Sequence, residues 1–257
     1  MITHMFFYQF FIIKLILQHY AISYKKKSYQ YIIKYIHMES TPITLGYIKG
    51  YCQNNNITLP DIDGMELVLY GKKELNIPKL HCFKNINNPF LERVNKLIGF
   101  MKTVYDASTV VDFGTQRGAL LWPVMNAFPH IQYVAIDVDL DIISYLNCVR
   151  VGGANNLTVL NSDITKNIPL NDSSADIVVA SEILEHLSNP QLAANEAIRL
   201  ASKYIYVTVP LKPDNNPEHI QLFTKESLTK LFVHPNVSSI NISYLPKQIV
   251  AIIEINK

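Results

Sequence analysis

The sequence predicts an α/β fold, a doubly wound sheet that is mostly parallel and closes with an antiparallel strand pair at its carboxyl end. Three observations carry this. Beyond Asp106, short apolar runs alternate with stretches of helical spacing. The first five of those runs are apolar at consecutive positions rather than only at alternate ones, as in parallel strands covered on both faces. The last two runs are joined by a short turn, too close for a crossover, so they pair antiparallel.

The elements follow in order. "PFLERVNKLIGFMKTV" puts Phe90, Val94, Leu97, Ile98 and Met101 on one helical stripe, with Pro89 at the start, where a missing N–H costs nothing. Strand "TVVDFG" leads into a helix from Gly118, and "QYVAID" into a helix from Leu140. "LTVLNSD" and "ADIVVASE" are the third and fourth strands, a helix from Pro190 follows, and "KYIYVTVP" is the fifth strand. A helix around Lys225 to Val233 precedes "SSINISYLP" and "QIVAIIEI". Ahead of these, "CQNNNITLPDIDG" and "NINNP" are turn-forming clusters joining short elements. The expected organisation is an apolar and basic extension over 1–38, a cap with its leading helix over 39–105, and the α/β domain over 106–257.

Composition narrows the partners. The chain has 257 residues, 49% hydrophobic and 17% charged, enough to bury a sizeable core. Its net charge of +2 hides a break: none of the 21 acidic residues precedes Glu39, whereas five lysines do. The remainder holds 18 basic against 21 acidic residues, a formal −3. No basic run follows Lys27, so a nucleic-acid partner is disfavoured. Cys52, Cys82 and Cys148 have no metal-type spacing and an odd count, which fits a reducing compartment and an expected cytoplasmic location.

The opening stretch "MFFYQFFIIKLILQHYAISYKKK" is apolar but interrupted by Gln9, Lys14, Gln18 and His19. A charge at the centre of a span costs about 3 kcal/mol, which argues against a crossing. A cleaved leader would start basic and end on small residues. The favoured reading is a poorly ordered extension, or translated sequence upstream of a start at Met38. Membrane contact by residues 1–27 stays open as the less favoured one.

In an open α/β sheet the ligand lies outside the carboxyl ends of the strands. The residues there are Gly114, Asp137, Asp163, and Ser181 with Glu182. Gly114 permits a sharp turn that aims backbone N–H groups at the ligand, and Gly118 permits close helix-to-strand packing. Asp137 ends the second strand 19 residues after Gly118, where a carboxylate accepts hydrogen bonds from both ribose hydroxyls. "DVDLD" is not a calcium loop, because Ile142 and Cys148 stand where its glycine and glutamate belong.

These stretches resemble the class I S-adenosylmethionine-dependent methyltransferases, in particular the type 11 small-molecule branch, over about Thr109 to Phe232. The glycine motif is "VVDFGTQRG", the ribose motif "VAIDVD", the adenine motif "NSDI", and "SEILEHL" follows strand four. The resemblance implies a Rossmann-like sheet and S-adenosyl-L-methionine as cofactor. It implies Asp112 and Gly114 beside the methionine portion, Asp137 on the ribose, Asp163 and Ile164 around the adenine, and Ser181 offering backbone atoms to the amino acid end. The departure is Gln116, which stands where the family usually has its middle glycine. S-adenosylmethionine presents no pyrophosphate to that loop, so a side chain turned aside is tolerated. Arg117 at the helix start is read as solvated rather than as a cofactor ligand.

Methyl transfer needs alignment and exclusion of water more than a strong acid or base. A hydroxyl acceptor must still lose its proton, and His186 or Glu182 would take it. The expected acceptor is a small molecule methylated at oxygen. Glu182, Glu185 and His186 with His219 also form a set suited to Mg or Mn, as in the resembling small-RNA 3′-end 2′-O-methyltransferases and some quinone-ring O-methyltransferases. A cofactor-binding but catalytically silent partner subunit is the other alternative. A nicotinamide enzyme would require G-x-G-x-x-G, which this turn lacks.

Overall fold

The computed structural model describes residues 41–83 and 91–256. The apolar runs form β1 (Thr109–Phe113), β2 (Gln132–Asp137), β3 (Leu157–Asn161), β4 (Ala175–Ser181), β5 (Ala201–Pro210), β6 (Val237–Tyr244) and β7 (Gln248–Ile255). They make one sheet of order β3-β2-β1-β4-β5-β7-β6. The first five strands run parallel, and β7 pairs antiparallel with both β5 and β6. The expected doubly wound sheet with an antiparallel ending is what the chain adopts.

Register sets the level of the strand tips. Phe113 stands opposite Ile136 on one side and Ala180 on the other, Asp137 opposite Asn161, and Ser181 opposite Thr208. Gly114, Asp137 and Ser181 therefore leave the sheet at one height. Strand order reverses between β1 and β4, which opens a crevice over their carboxyl ends. The opposite ends are fastened shut: Asp176 Oδ2 accepts from Ser108 N at 2.7 Å, Ser108 Oγ at 2.8 Å and Thr109 N at 3.1 Å. Burial alone would raise that carboxyl, but these donors and Lys203 take it down to about 2.

The core lies along β1, β4, β5 and β7, where Val111, Phe113, Val178, Ile205, Val207 and Ile253 are buried. Around the sheet lie α1 (Pro42–Asn54), α2 (Gly64–Lys73), α3 (Glu92–Met101), α4 (Leu121–Ala127), α5 (Leu140–Val151), α6 (Pro190–Leu200) and α7 (Lys225–Leu231). On α3 the expected stripe buries Val94, Leu97 and Met101. Pro89 and Phe90 lie outside the described residues, as does the whole extension over 1–38. Among the described residues no helix is long and apolar enough to cross a membrane.

Two helices differ from expectation or carry weight for the site. The helix expected from Gly118 begins at Leu121, because Gly118 has φ 71° and its N–H first closes a turn onto Thr115 O at 2.9 Å. A left-handed residue cannot start a right-handed helix. Helix α1 is capped by Thr41, whose Oγ1 accepts from Thr44 N, and it packs against α5 with almost no side chain between. A Cβ at Gly50 would fall 1.8 Å from the Cys148 carbonyl oxygen.

Candidate active site

The turn after β1 is built around one carboxylate. Gly114 (φ 65°) and Gln116 (φ 47°) are both left-handed, which turns the chain sharply over the sheet. Thr115 N donates to Ile136 O at 3.1 Å, tying the turn to β2. Gln116 N donates to Asp137 Oδ2 at 2.8 Å, and Asp139 N donates to Asp137 Oδ1 at 3.0 Å. Asn161 Nδ2 holds the Asp137 and Val138 carbonyls at 3.0 Å each. Asp137 is buried, and each of its oxygens still has capacity for a second donor. The Gln116 side chain is exposed. At this position the residue takes the backbone shape of a glycine and keeps its N–H on the acid.

The far side of the turn is gripped by aromatic donors. Arg117 O accepts from Trp122 Nε1 at 2.9 Å and from the Tyr145 hydroxyl at 3.2 Å. The indole ring lies over Gly118, where a Cβ would come within 2.2 Å of it. Phe83 stacks on Trp122 with centroids 5.9 Å apart, and Tyr47 packs on Phe83 at 5.0 Å. Residues from α1 and the turn at Leu80–Phe83 thus back the loop. The Arg117 side chain itself is exposed.

Asp112 is buried beneath the turn. Burial pushes its carboxyl up to about 7, a hydrogen bond from Thr115 opposes this, and the nearby Asp137 charge adds to it. At the end of β3 Asp163 behaves in the opposite way. Thr165 donates to Oδ1 from its hydroxyl at 2.7 Å and its N–H at 2.9 Å, holding the acid below its ordinary range. Ile164 beside it is buried.

The tip of β4 carries a relay that sequence reasoning missed. Thr208 on β5 is fully buried; its Oγ1 lies 2.7 Å from Ser181 Oγ and donates to Glu182 Oε1 at 3.0 Å. Glu182 N donates back to Thr208 O at 2.9 Å, and Glu182 is left-handed at φ 55°. The lone threonine inside the apolar run "YIYVTVP" was the available signal. One oxygen of the Glu182 carboxylate thus accepts from Thr208, and among the described residues Glu182 does not group with Glu185, His186 and His219.

The residues that do come together are Glu185, His186 and His219, each offering one ligand atom, all within 4.8 Å of one another. Glu185 and His186 lie in a 3-10 turn, Leu184–His186. His219 reaches them because its segment docks on that turn: Ile220 N donates to Glu185 O at 3.1 Å and Gln221 Nε2 to Leu187 O at 2.5 Å. Glu185 is fully buried and neither carboxylate oxygen has a hydrogen-bond partner among the described residues. Burial, with the Glu182 and Asp214 charges, pushes its carboxyl up to about 8. The His186 and His219 rings meet edge to face at 4.7 Å. A buried, unpartnered carboxylate beside two imidazoles is a donor set that a divalent cation fits.

Residues 111–204 match the family described as methyltransferase domain. No curated protein matches the chain in sequence. The fold is shared with a SAM dependent methyltransferase from Aquifex aeolicus at 19% identity, covering 64% of this chain and 97% of that one, with a TM-score of 0.51. It is shared with an O-methyltransferase family protein from Burkholderia thailandensis at 11% identity, covering 73% and 63%, with a TM-score of 0.54. The small RNA methyltransferase HEN1 is 19% identical over 65% of this chain and 25% of that one, with a TM-score of 0.55.

Proposed function

We propose that the chain is a class I S-adenosylmethionine-dependent methyltransferase that methylates a hydroxyl oxygen of a small-molecule acceptor bound beside the tip of β4, a reading supported by the methyltransferase-domain match over 111–204 and by the shared fold. The observation that carries this reading is the convergence of His186, His219 and Glu185 in and beside the turn that follows β4. The turn at Gly114 and the buried Asp112 take the methionine portion, Asp137 takes the ribose hydroxyls, Asp163 and Ile164 frame the adenine, and Ser181 offers main-chain atoms to the amino acid end. Three unpaired cysteines support the cytoplasm as its compartment.

In the reaction the acceptor oxygen forms a bond to the methyl carbon as the carbon–sulfur bond breaks. The sulfonium leaves as a neutral thioether, and the hydroxyl proton goes to a protein base. His186 is the base in this reading: its Nδ1 is engaged by Glu218 O at 3.1 Å, which leaves Nε2 to receive the proton. Glu182, held by Thr208, orients rather than abstracts.

A second reading is favoured by the two unpartnered Glu185 oxygens. Glu185, His186 and His219 would hold a divalent cation, and the mixed nitrogen and oxygen set suits Mn better than the all-oxygen shell of Mg. Such an ion lowers the pKa of an acceptor hydroxyl. Both readings are tested by methyl transfer from labelled cofactor to phenols, quinols and short RNAs with a free terminal 2′-hydroxyl, with and without chelator. Transfer to the small hydroxyl compounds is expected. Transfer to RNA alone would replace the acceptor class, and loss of activity on chelation, restored by Mn, would select the second reading.

A further inference from the structure

The geometry points to Asp214 as a positioning residue that fixes which nitrogen His219 presents to Glu185, an inference that rests on the divalent-cation reading of this cluster. Asp214 Oδ1 lies 2.9 Å from His219 Nδ1 and also accepts from Asn216 N at 3.0 Å, so the carboxylate is itself held in place. A carboxylate oxygen only accepts, so Nδ1 carries the hydrogen, and in the neutral ring the lone pair sits on Nε2. That Nε2 lies 4.0 Å from Glu185 Oε1, too far for a hydrogen bond and with no other partner for the carboxylate. Two electron-rich atoms facing across that gap are the arrangement a cation closes.

His186 is treated the same way, with the Glu218 carbonyl 3.1 Å from its Nδ1. The segment supplying both acceptors is folded on itself: Glu218 N donates to Asn216 Oδ1 at 3.1 Å and His219 N to Asn216 O at 3.1 Å. One short loop therefore sets the tautomer of two rings through acceptors that never touch the ion. Outer partners of this kind typically change metal affinity 10- to 100-fold.

The test is titration of the full chain with Co²⁺, read by its visible absorption bands and by calorimetry. S-adenosylhomocysteine affinity serves as the folding control. The expected result is one bound Co²⁺, weakened about 10- to 100-fold in Asp214→Ala. It should return to within about 3-fold of the parent in Asp214→Asn, whose amide oxygen still accepts from Nδ1, with unchanged S-adenosylhomocysteine affinity throughout. Parent-like Co²⁺ affinity in Asp214→Ala would overturn the role of Asp214 and leave the cation reading standing. An Asn variant as weak as the Ala variant would assign the effect to charge and also overturn it. A parent that binds S-adenosylhomocysteine but no Co²⁺ would overturn both.

Discussion

The backbone N–H of Gln116 donates to the carboxylate of Asp137 at 2.8 Å, so the glycine turn and the acid at the tip of β2 form one hydrogen-bonded unit. A residue that departs from the family's glycine thereby does the glycine's backbone work. The cost is conformational, since Gln116 sits at φ 47°. Replacing Gln116 by Gly should relieve roughly 1–2 kcal/mol of left-handed strain, partly offset by the looser unfolded chain. The net expectation is a variant more stable by about 0.5–1 kcal/mol with undiminished S-adenosylhomocysteine affinity, read by thermal melting and calorimetry. A destabilised variant would mean that the Gln116 side chain makes contacts that outweigh its backbone.

Asp112 should make stability depend on pH in a direction opposite to most carboxylates. Its folded-state value of about 7, caused first by burial, lies above its ordinary value of 3.8. The fold therefore prefers the neutral acid. The associated stability is fully present below about pH 4 and is lost as pH rises through 7. Asp112→Asn cannot ionise, so it should match the parent near pH 4 and exceed it at pH 8 by an amount on the order of a few kcal/mol. Denaturant melts at the two pH values check this. An equal difference at both would remove ionisation as the cause.

Trp122 and Tyr145 donate to the same Arg117 carbonyl. Removing one donor by Trp122→Phe or Tyr145→Phe leaves the other, so each should cost about 1 kcal/mol. Removing both strands a carbonyl beneath the aromatic cluster. The double variant should then cost more than the sum of the singles by about 1 kcal/mol, with S-adenosylhomocysteine affinity falling in step. Trp122 Nε1 also donates to the Tyr145 hydroxyl at 3.1 Å, a bond that either single variant breaks, so a double variant costing no more than the sum would show that this direct bond outweighs the shared carbonyl.

Much of this was legible in the sequence because it is encoded locally. Continuous apolar runs specify buried parallel strands, and Gly114 and Asp137 fall at strand ends by simple counting. Other features depend on what the fold brings alongside. Glu182 falls at ligand spacing in the sequence, and only the fold brings Thr208 on the neighbouring strand to one of its carboxylate oxygens. The α4 start shifts from Gly118 to Leu121 because φ at the glycine is positive, which the residue type permits but does not require. The grip of Trp122 and Tyr145 on Arg117 joins three segments, and no spacing rule announces it. Asp214 is five residues from His219, and only the turn between them turns that interval into a 2.9 Å contact.

In the proposed complex the tips of β1, β2 and β3 together hold the adenosine portion of the cofactor, with Asp137 on its sugar. Calorimetric titration of S-adenosylhomocysteine into the parent and into Asp137→Ala tests it most directly. The expected result is a single site in the parent and at least a 30-fold loss in the variant, about 2 kcal/mol, since the carboxylate holds the Gln116 turn and would also anchor the ligand. Parent-like affinity in a folded Asp137→Ala protein would contradict it.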